Sequence, residues 1–378
     1  MTTKNSEKTL VVIQLTGGND FMNTIVPYTN SHYYDARKKI VLGQDDFLPI
    51  NDTLAINKNA APFKRMFDEG NMAIIQGIGY PNSNRSHFRG MDIWHTCEPD
   101  RVGSEGWLGL AVKEIDPSGE NVLTGVNIGQ GLPRAMAVAG VPVTSISDLE
   151  GYGVMKRLEQ EQLREKALKA FKDIYGQAIG SGVVAEYIGK TGLDVLRGAD
   201  MLSEVAGNYN STVEYADNSI AKSLRDVARI HLSGLGTRIF YTNHGGYDTH
   251  ANEMPAHPKL ISDLSGAISD FMDDLEEHEA ADDIVILVFT EFGRRMRDNG
   301  SGTDHGSGGG AFIFGKNVKG GLYSEYPSLD PANWEHGEDL QHTIDFRGIY
   351  GTVLEQWLQL EAKPIVKGGF EQISPFYL

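Results

Sequence analysis

Short, unbroken apolar runs punctuate this chain. Leu10-Val-Val-Ile-Gln-Leu15, Met72-Ala-Ile-Ile-Gln-Gly-Ile78 and Ile284-Val-Ile-Leu-Val-Phe289 place apolar residues at successive positions, not alternate ones. That is the pattern of strands covered on both faces. Residues 237–242 form a fourth run, and 311–314 and 321–323 are shorter ones. Between them the spacing predicts helices over 61–69 (closed by Gly70), from about 86 to 96, over 107–115 and over 258–277. A last helix begins near Asp345, with Ile349, Val353 and Trp357 at i, i+4 and i+8. Residues 121–147 read as short strands and turns. Residues 154–233 read as mostly helical, with mixed charges and apolar spacings such as Met155/Leu158 and Leu168/Phe171. Strands alternating with helices predict a mostly parallel sheet covered on both faces, within a single domain over 1–378 that carries 154–233 as a helical insertion or cap.

The segments just past these strands are polar. The clusters are Asn19/Asp20, Arg85/Ser86/His87, Asp248/His250 and Glu291/Arg294, with Asp304/His305 in a glycine-rich segment further on. In a parallel sheet all strand ends share one edge, and open α/β sheets build ligand sites there. Carboxylates and imidazoles that converge bind divalent metals. Each residue also has a plainer reading. Asp20 after two glycines is a metal ligand or a helix cap. Ser86 at a helix start is a nucleophile activated by a metal, or merely the cap. Asp248 with His250, and Asp304 with His305, are chelating pairs or turn carboxylates beside hydrogen-bonded imidazoles. Glu291, at the end of the most apolar strand, needs a partner because an unpaired buried charge is costly. A metal supplies one, and so does Arg294 or Arg295. Arg85 and Arg294 are candidates for holding an anionic group. His87, His244 and His342 are placed as supporting groups behind the ligands.

Composition narrows the partners. The formal net charge is −17, so the overall field does not favour nucleic acid or an anionic membrane. A small anionic substrate must be drawn in locally, by a metal or by arginines. With one cysteine, Cys97, no disulfide forms within the chain. The first eight residues lack an apolar export segment and a twin arginine. Read literally this places the chain in the cytoplasm, or outside it if a leader has been removed. No apolar run is long enough to cross a bilayer. No ordered Gly-x-Gly-x-x-Gly or P-loop comes after the first strand, which argues against a nucleotide site.

Taken together, Leu-Thr-Gly-Gly-Asn-Asp near the N-terminus, Asn-Arg-Ser-His-Phe, Gly-Trp-Leu-Gly, Gly-Gly-Tyr-Asp-Thr-His, Thr-Glu-Phe-Gly-Arg-Arg, Gly-Thr-Asp-His-Gly and Asp-Phe-Arg resemble the DUF1501 family over residues 9–360. That family is similar to the alkaline phosphatase and sulfatase superfamily. The resemblance implies a three-layer α/β/α sandwich of alkaline-phosphatase type. It implies Asp20, Asp248, His250 and His305 as metal ligands, with Ser86 as the nucleophile's counterpart; Glu291 and Asp304 join the ligand candidates from the reading of the clusters. Glu291-Phe292 stands where the superfamily has Asp-His or Asp-Asn, and Asp248 and His250 are closer together than its common spacing.

The expected function is hydrolysis of phosphate or sulfate esters, assisted by a divalent metal (Zn, Mn, Mg or Ca). Ser86 or a metal-bound water would attack, and Arg85, Arg294 or Arg295 would hold the remaining oxygens. The alternative is a non-catalytic ligand-binding or assembly protein that keeps the fold.

Overall fold

The computed structural model describes residues 8–150, 161–179, 182–203, 205 and 209–377. Its centre is a nine-stranded sheet. The strands are β1 (Thr9–Thr16), β2 (Met72–Gly79), β3 (Gly125–Ile128), β4 (Thr144–Ile146), β5 (Ile239–Gly245), β6 (Ile284–Thr290), β7 (Gly309–Phe314), β8 (Gly321–Tyr323) and β9 (Ile344–Asp345). Across the sheet the order is β8-β2-β7-β6-β1-β5-β3-β4, with β9 also pairing β2. β1 lies between β5 and β6, parallel to both, and Leu15 sits level with His244 on one side and Thr290 on the other. The three central strands therefore end flush.

β7 departs from the expected parallel pattern. It runs antiparallel to both β2 and β6. Two reversals restore direction, so β2 is parallel to β6, and the segment after β2 reaches the same edge as those after β1, β5 and β6. An apolar run carries no mark of strand direction, which is why this reversal is not visible in the sequence pattern.

Alternation along β1 divides the interior into two cores. Val11, Ile13 and Leu15 pack on one face with Ile220, Leu224 and Phe271. Leu10 and Val12 pack on the other with Trp94, Trp107 and Tyr350. Helices α1 (His87–Thr96), α2 (Trp107–Ile115) and α6 (Phe346–Thr352) cover this second face. Helices α4 (Ser219–Leu232) and α5 (Glu253–Glu277) cover the first, with Ile220, Leu224, Val227 and Ala228 forming the inward stripe of α4. The fold is a three-layer α/β/α sandwich. α4 belongs to the sandwich itself, although it falls in the segment expected as an insertion. The helices Glu161–Ala178 and α3 (Val183–Ser203) pack on each other, and α3 reaches the first core through Leu202. Met155 and Leu158 lie outside the described residues.

α5 starts five residues earlier than its pattern suggests. Pro255 falls in the first turn, where a missing N–H costs nothing, and Pro258 is absorbed inside the helix. Among the described residues no helix is long and apolar enough to cross a membrane.

Candidate metal centre

The site forms where four segments meet beyond the sheet edge. After β1 the chain turns at Gly17 and Gly18, whose φ values are +122° and +81°. A Cβ on Gly17 would lie 2.2 Å from the backbone N of Asp248, so glycine lets the Asp248 segment close onto the end of β1. After β2, the Arg85-Ser86 segment leads into α1, which opens on His87. After β5 come Asp248 and His250. After β6, Glu291 precedes a two-stranded ribbon, Arg294–Asp298 with Thr303–His305.

Three imidazoles surround the Asp248 carboxylate. His305 Nε2 is 2.9 Å from Asp248 Oδ1, and His250 Nε2 is 3.1 Å from the same oxygen. His87 Nε2 is 3.4 Å from Oδ2. His250 Nε2 and His305 Nε2 are 2.8 Å apart. The far nitrogen of each ring faces an oxygen that can only accept. His87 Nδ1 meets Glu291 Oε1 at 2.9 Å, His250 Nδ1 meets Asp304 Oδ1 at 3.1 Å, and His305 Nδ1 meets the Arg85 carbonyl at 2.7 Å. These oxygens draw the ring N–H to Nδ1 in each neutral imidazole. Each Nε2 then presents a lone pair to Asp248, itself an acceptor. Lone pairs that converge at these distances need a shared proton or a cation between them. Imidazoles whose outer N–H is held by carboxylate or carbonyl are the usual arrangement around a metal. Among the described residues, His87, Asp248 and His305 offer ligand atoms all within 4.8 Å of one another.

The electrostatics treat His87 and His305 oppositely. Burial works to raise the Asp248 pKa, but its contacts with His305 and Arg294 override this and hold the carboxyl well below its ordinary range. Burial lowers His305, favouring the neutral ring. The Glu291 hydrogen bond raises His87. Asp304 is lowered because hydrogen bonds from Asn299 and His250 outweigh burial.

Several residues expected at the metal lie behind it. Asp20 is fully buried, caps the short helix Phe21–Thr24 through the Met22 N–H (3.2 Å) and forms an ion pair with Arg37. Burial pushes its pKa up, but Arg37 and a hydrogen bond with Glu253 bring it down to about 2. Its carboxylate is thus already occupied. Glu291 is also fully buried. It accepts the Gly17 N–H (2.9 Å) and faces His87, so it orients a ring and stands outside the lone-pair cluster. Arg294 is buried and directs its guanidinium to the carbonyls of Gly17, Gly18, Tyr247 (2.8 Å) and Thr303 (2.8 Å), and to Asp248. Buried and so engaged, it joins the segments after β1, β5 and β6 and does not face the open side of the site. Arg85 and Arg295 remain partly exposed, both facing buried Asp339 at 3.6 Å and 3.2 Å. Ser86 is exposed at the start of α1 and its hydroxyl makes no capping bond.

The contribution of His87 exceeds the supporting role its sequence position suggests. The signal was its place directly after Ser86 at a helix start. Arg37, Glu253 and Asp339 sit in segments with no motif at all.

The molecule is thus a three-layer α/β protein with a cluster of imidazoles around the Asp248 carboxylate at the ends of its parallel strands. It belongs to the DUF1501 family, described as proteins of unknown function, whose model matches residues 101–365. No curated protein matches the sequence. Similar solved structures include the PsFucS1 sulfatase from Pseudoalteromonas sp., at 11% identity and TM-score 0.43, covering 97% of this chain and 71% of that one. A protein in the alkaline phosphatase superfamily from Vibrio parahaemolyticus is similar at 11% identity and TM-score 0.37, covering 95% and 68%. The phosphonate monoester hydrolase of Agrobacterium radiobacter is similar at 8% identity and TM-score 0.40, covering 96% and 78%.

Proposed function

We propose that this chain is a metal-dependent hydrolase of phosphate or sulfate esters, its cation held by His87, Asp248, His250 and His305. The observation that carries this reading is the convergence of three Nε2 atoms on one carboxylate, each ring held from behind by an oxygen. A donor set rich in imidazole suits Zn²⁺ better than Mg²⁺ or Ca²⁺, which take oxygen ligands. The carboxylates of Asp20 and Glu291 are engaged elsewhere, so the reading is one ion per chain. When bound, a divalent cation supplies charge to the oxygens of the transferring group and lowers the pKa of an attacking hydroxyl.

The chain's own residues supply the rest. Ser86 offers a free hydroxyl one residue before His87, at the N-terminus of a ten-residue helix whose dipole favours an alkoxide. It is the candidate nucleophile; water in its place gives direct hydrolysis. Arg85 and Arg295 present guanidinium groups beside the cluster, where Asp339 restrains them. They replace Arg294 as the groups that hold the anionic oxygens of the ester.

Metal analysis of purified protein, with aryl phosphate and aryl sulfate assays in added Zn²⁺, Mn²⁺, Mg²⁺ or Ca²⁺, tests the reading. The expected result is one Zn²⁺ per chain and turnover that disappears in Asp248→Ala. Bound metal with no turnover of either ester class would favour a ligand-binding protein that keeps the fold.

A further inference from the structure

Glu253 is a fully buried carboxyl near the centre that the proposed reaction does not use. It opens α5, is fully buried, and its backbone N–H bonds to the Ser301 carbonyl at 3.0 Å. Its Oε2 accepts the hydroxyl of Thr249 at 3.3 Å and that of Thr303 at 3.0 Å. Thr249 lies between Asp248 and His250. Thr303 immediately precedes Asp304 and His305. One carboxyl oxygen therefore ties together the two segments that supply Asp248, His250 and His305. The segments also touch directly: the Thr303 N–H bonds to the Thr249 carbonyl at 3.1 Å. Gly302 lies so close that a Cβ there would meet that same carbonyl oxygen at 2.0 Å. On its other side Glu253 accepts from Asn23 Nδ2 at 3.2 Å and hydrogen-bonds Asp20.

We propose that Glu253 is a positioning residue for the metal centre, a buried clip that fixes the distance between the Asp248/His250 segment and the Asp304/His305 segment. The proposal rests on the hydrolase reading, because the distance it fixes matters only if those side chains bind a metal. The clip consists of hydrogen bonds, not charge. Burial and the neighbouring Asp20 carboxylate, opposed in part by Arg37, push Glu253 up to about 9, so it is a neutral acid at pH 7. As an acid it donates to Asp20 while accepting from both threonines. Glutamine reproduces this except toward Asn23, whose N–H would face another N–H. Alanine reproduces none of it.

The test compares wild type with Glu253→Ala, Glu253→Gln and Thr303→Val in the full chain. Zn²⁺ affinity is measured by chelator competition, and the Co²⁺-loaded proteins are compared by visible absorption. Groups that orient metal ligands are worth about 10–100-fold in affinity. Glu253→Ala should lose that much and shift the Co²⁺ bands. Thr303→Val should lose less, and Glu253→Gln should stay within about threefold of wild type. Amide exchange of metal-free protein is a second readout. Residues 248–251 and 302–305 should exchange faster in Glu253→Ala while the central strands do not, and Glu253→Gln should restore protection. Wild-type Zn²⁺ affinity and local protection in Glu253→Ala would overturn the proposal, and so would exchange raised equally throughout the sheet. If Glu253→Ala does not fold, Thr303→Val with unchanged affinity and exchange overturns it alone. If wild type binds no Zn²⁺, the hydrolase reading falls, and the exchange measurement still decides whether Glu253 joins the two segments.

Discussion

At the scale of single residues, the carboxylates divide by what they already touch. Asp248 faces three imidazoles, whereas Asp20 is committed to Arg37 and a helix cap. Their alanine variants should fail differently. Asp248→Ala should lose the metal and leave the fold standing. Asp20→Ala strands a buried guanidinium and should cost about 3–5 kcal/mol in urea unfolding, with metal binding lost only as the fold loosens. A D20A protein that is fully stable but metal-free would reverse these roles. Glu253 adds a dependence on pH. Its folded pKa of about 9 lies above its ordinary 4.5, so the folded state binds the proton more tightly. Its contribution is complete below about 4.5 and is lost as pH rises toward about 9. Relative to Glu253→Gln, wild type should therefore weaken steadily across that window in denaturant titrations. Equal slopes for the two proteins would mean that Glu253 is not held as an acid.

At the scale of elements, the strand-end loops decide what is close. Gly17→Ala would force a side chain into the Asp248 backbone from a positive φ. It should cost about 1–3 kcal/mol and weaken Zn²⁺ binding, readable in one set of melts with and without metal. Much of this level was legible in the sequence. The runs at 10–15, 72–78 and 284–289 became β1, β2 and β6 because continuous apolar character leaves a strand nowhere to lie but the interior. The stripe of Ile349, Val353 and Trp357 is buried as its spacing predicts, although the helix widens to an i→i+5 turn over Val353–Trp357. The candidate site was legible in part. Asp248, His250, Asp304 and His305 cluster because their segments come after strands that end together. Asp20 and Glu291 come after such strands too, but they turn inward, toward Arg37 and toward His87 and Gly17. Those partners come from distant positions, and no local pattern announces them. His87 joins the cluster around Asp248 although a lone histidine after a serine resembles any helix start.

At the scale of the whole molecule, charge shapes the approach of a substrate. A net charge of −17 repels an anionic ester at long range, while the proposed cation and the arginines would attract it only close by. For any ester that is turned over, kcat/KM should therefore rise as salt is increased from low to moderate, because screening relieves the repulsion first. A monotonic fall would place attraction, not repulsion, in control of encounter.

β7 enters the sheet at the edge where its neighbours leave it, and its opening residues are Gly309 and Gly310. Two inter-strand steps, about 9–10 Å, separate the end of β2 from the end of β6. His87 reaches Glu291 across that interval like a lintel over a doorway. Beneath the lintel the missing side chains of Gly309 and Gly310 leave room for the Gly293 backbone and the Phe21 ring. A side chain at Gly310 would push against the Phe21 ring and unsettle the span that His87 crosses.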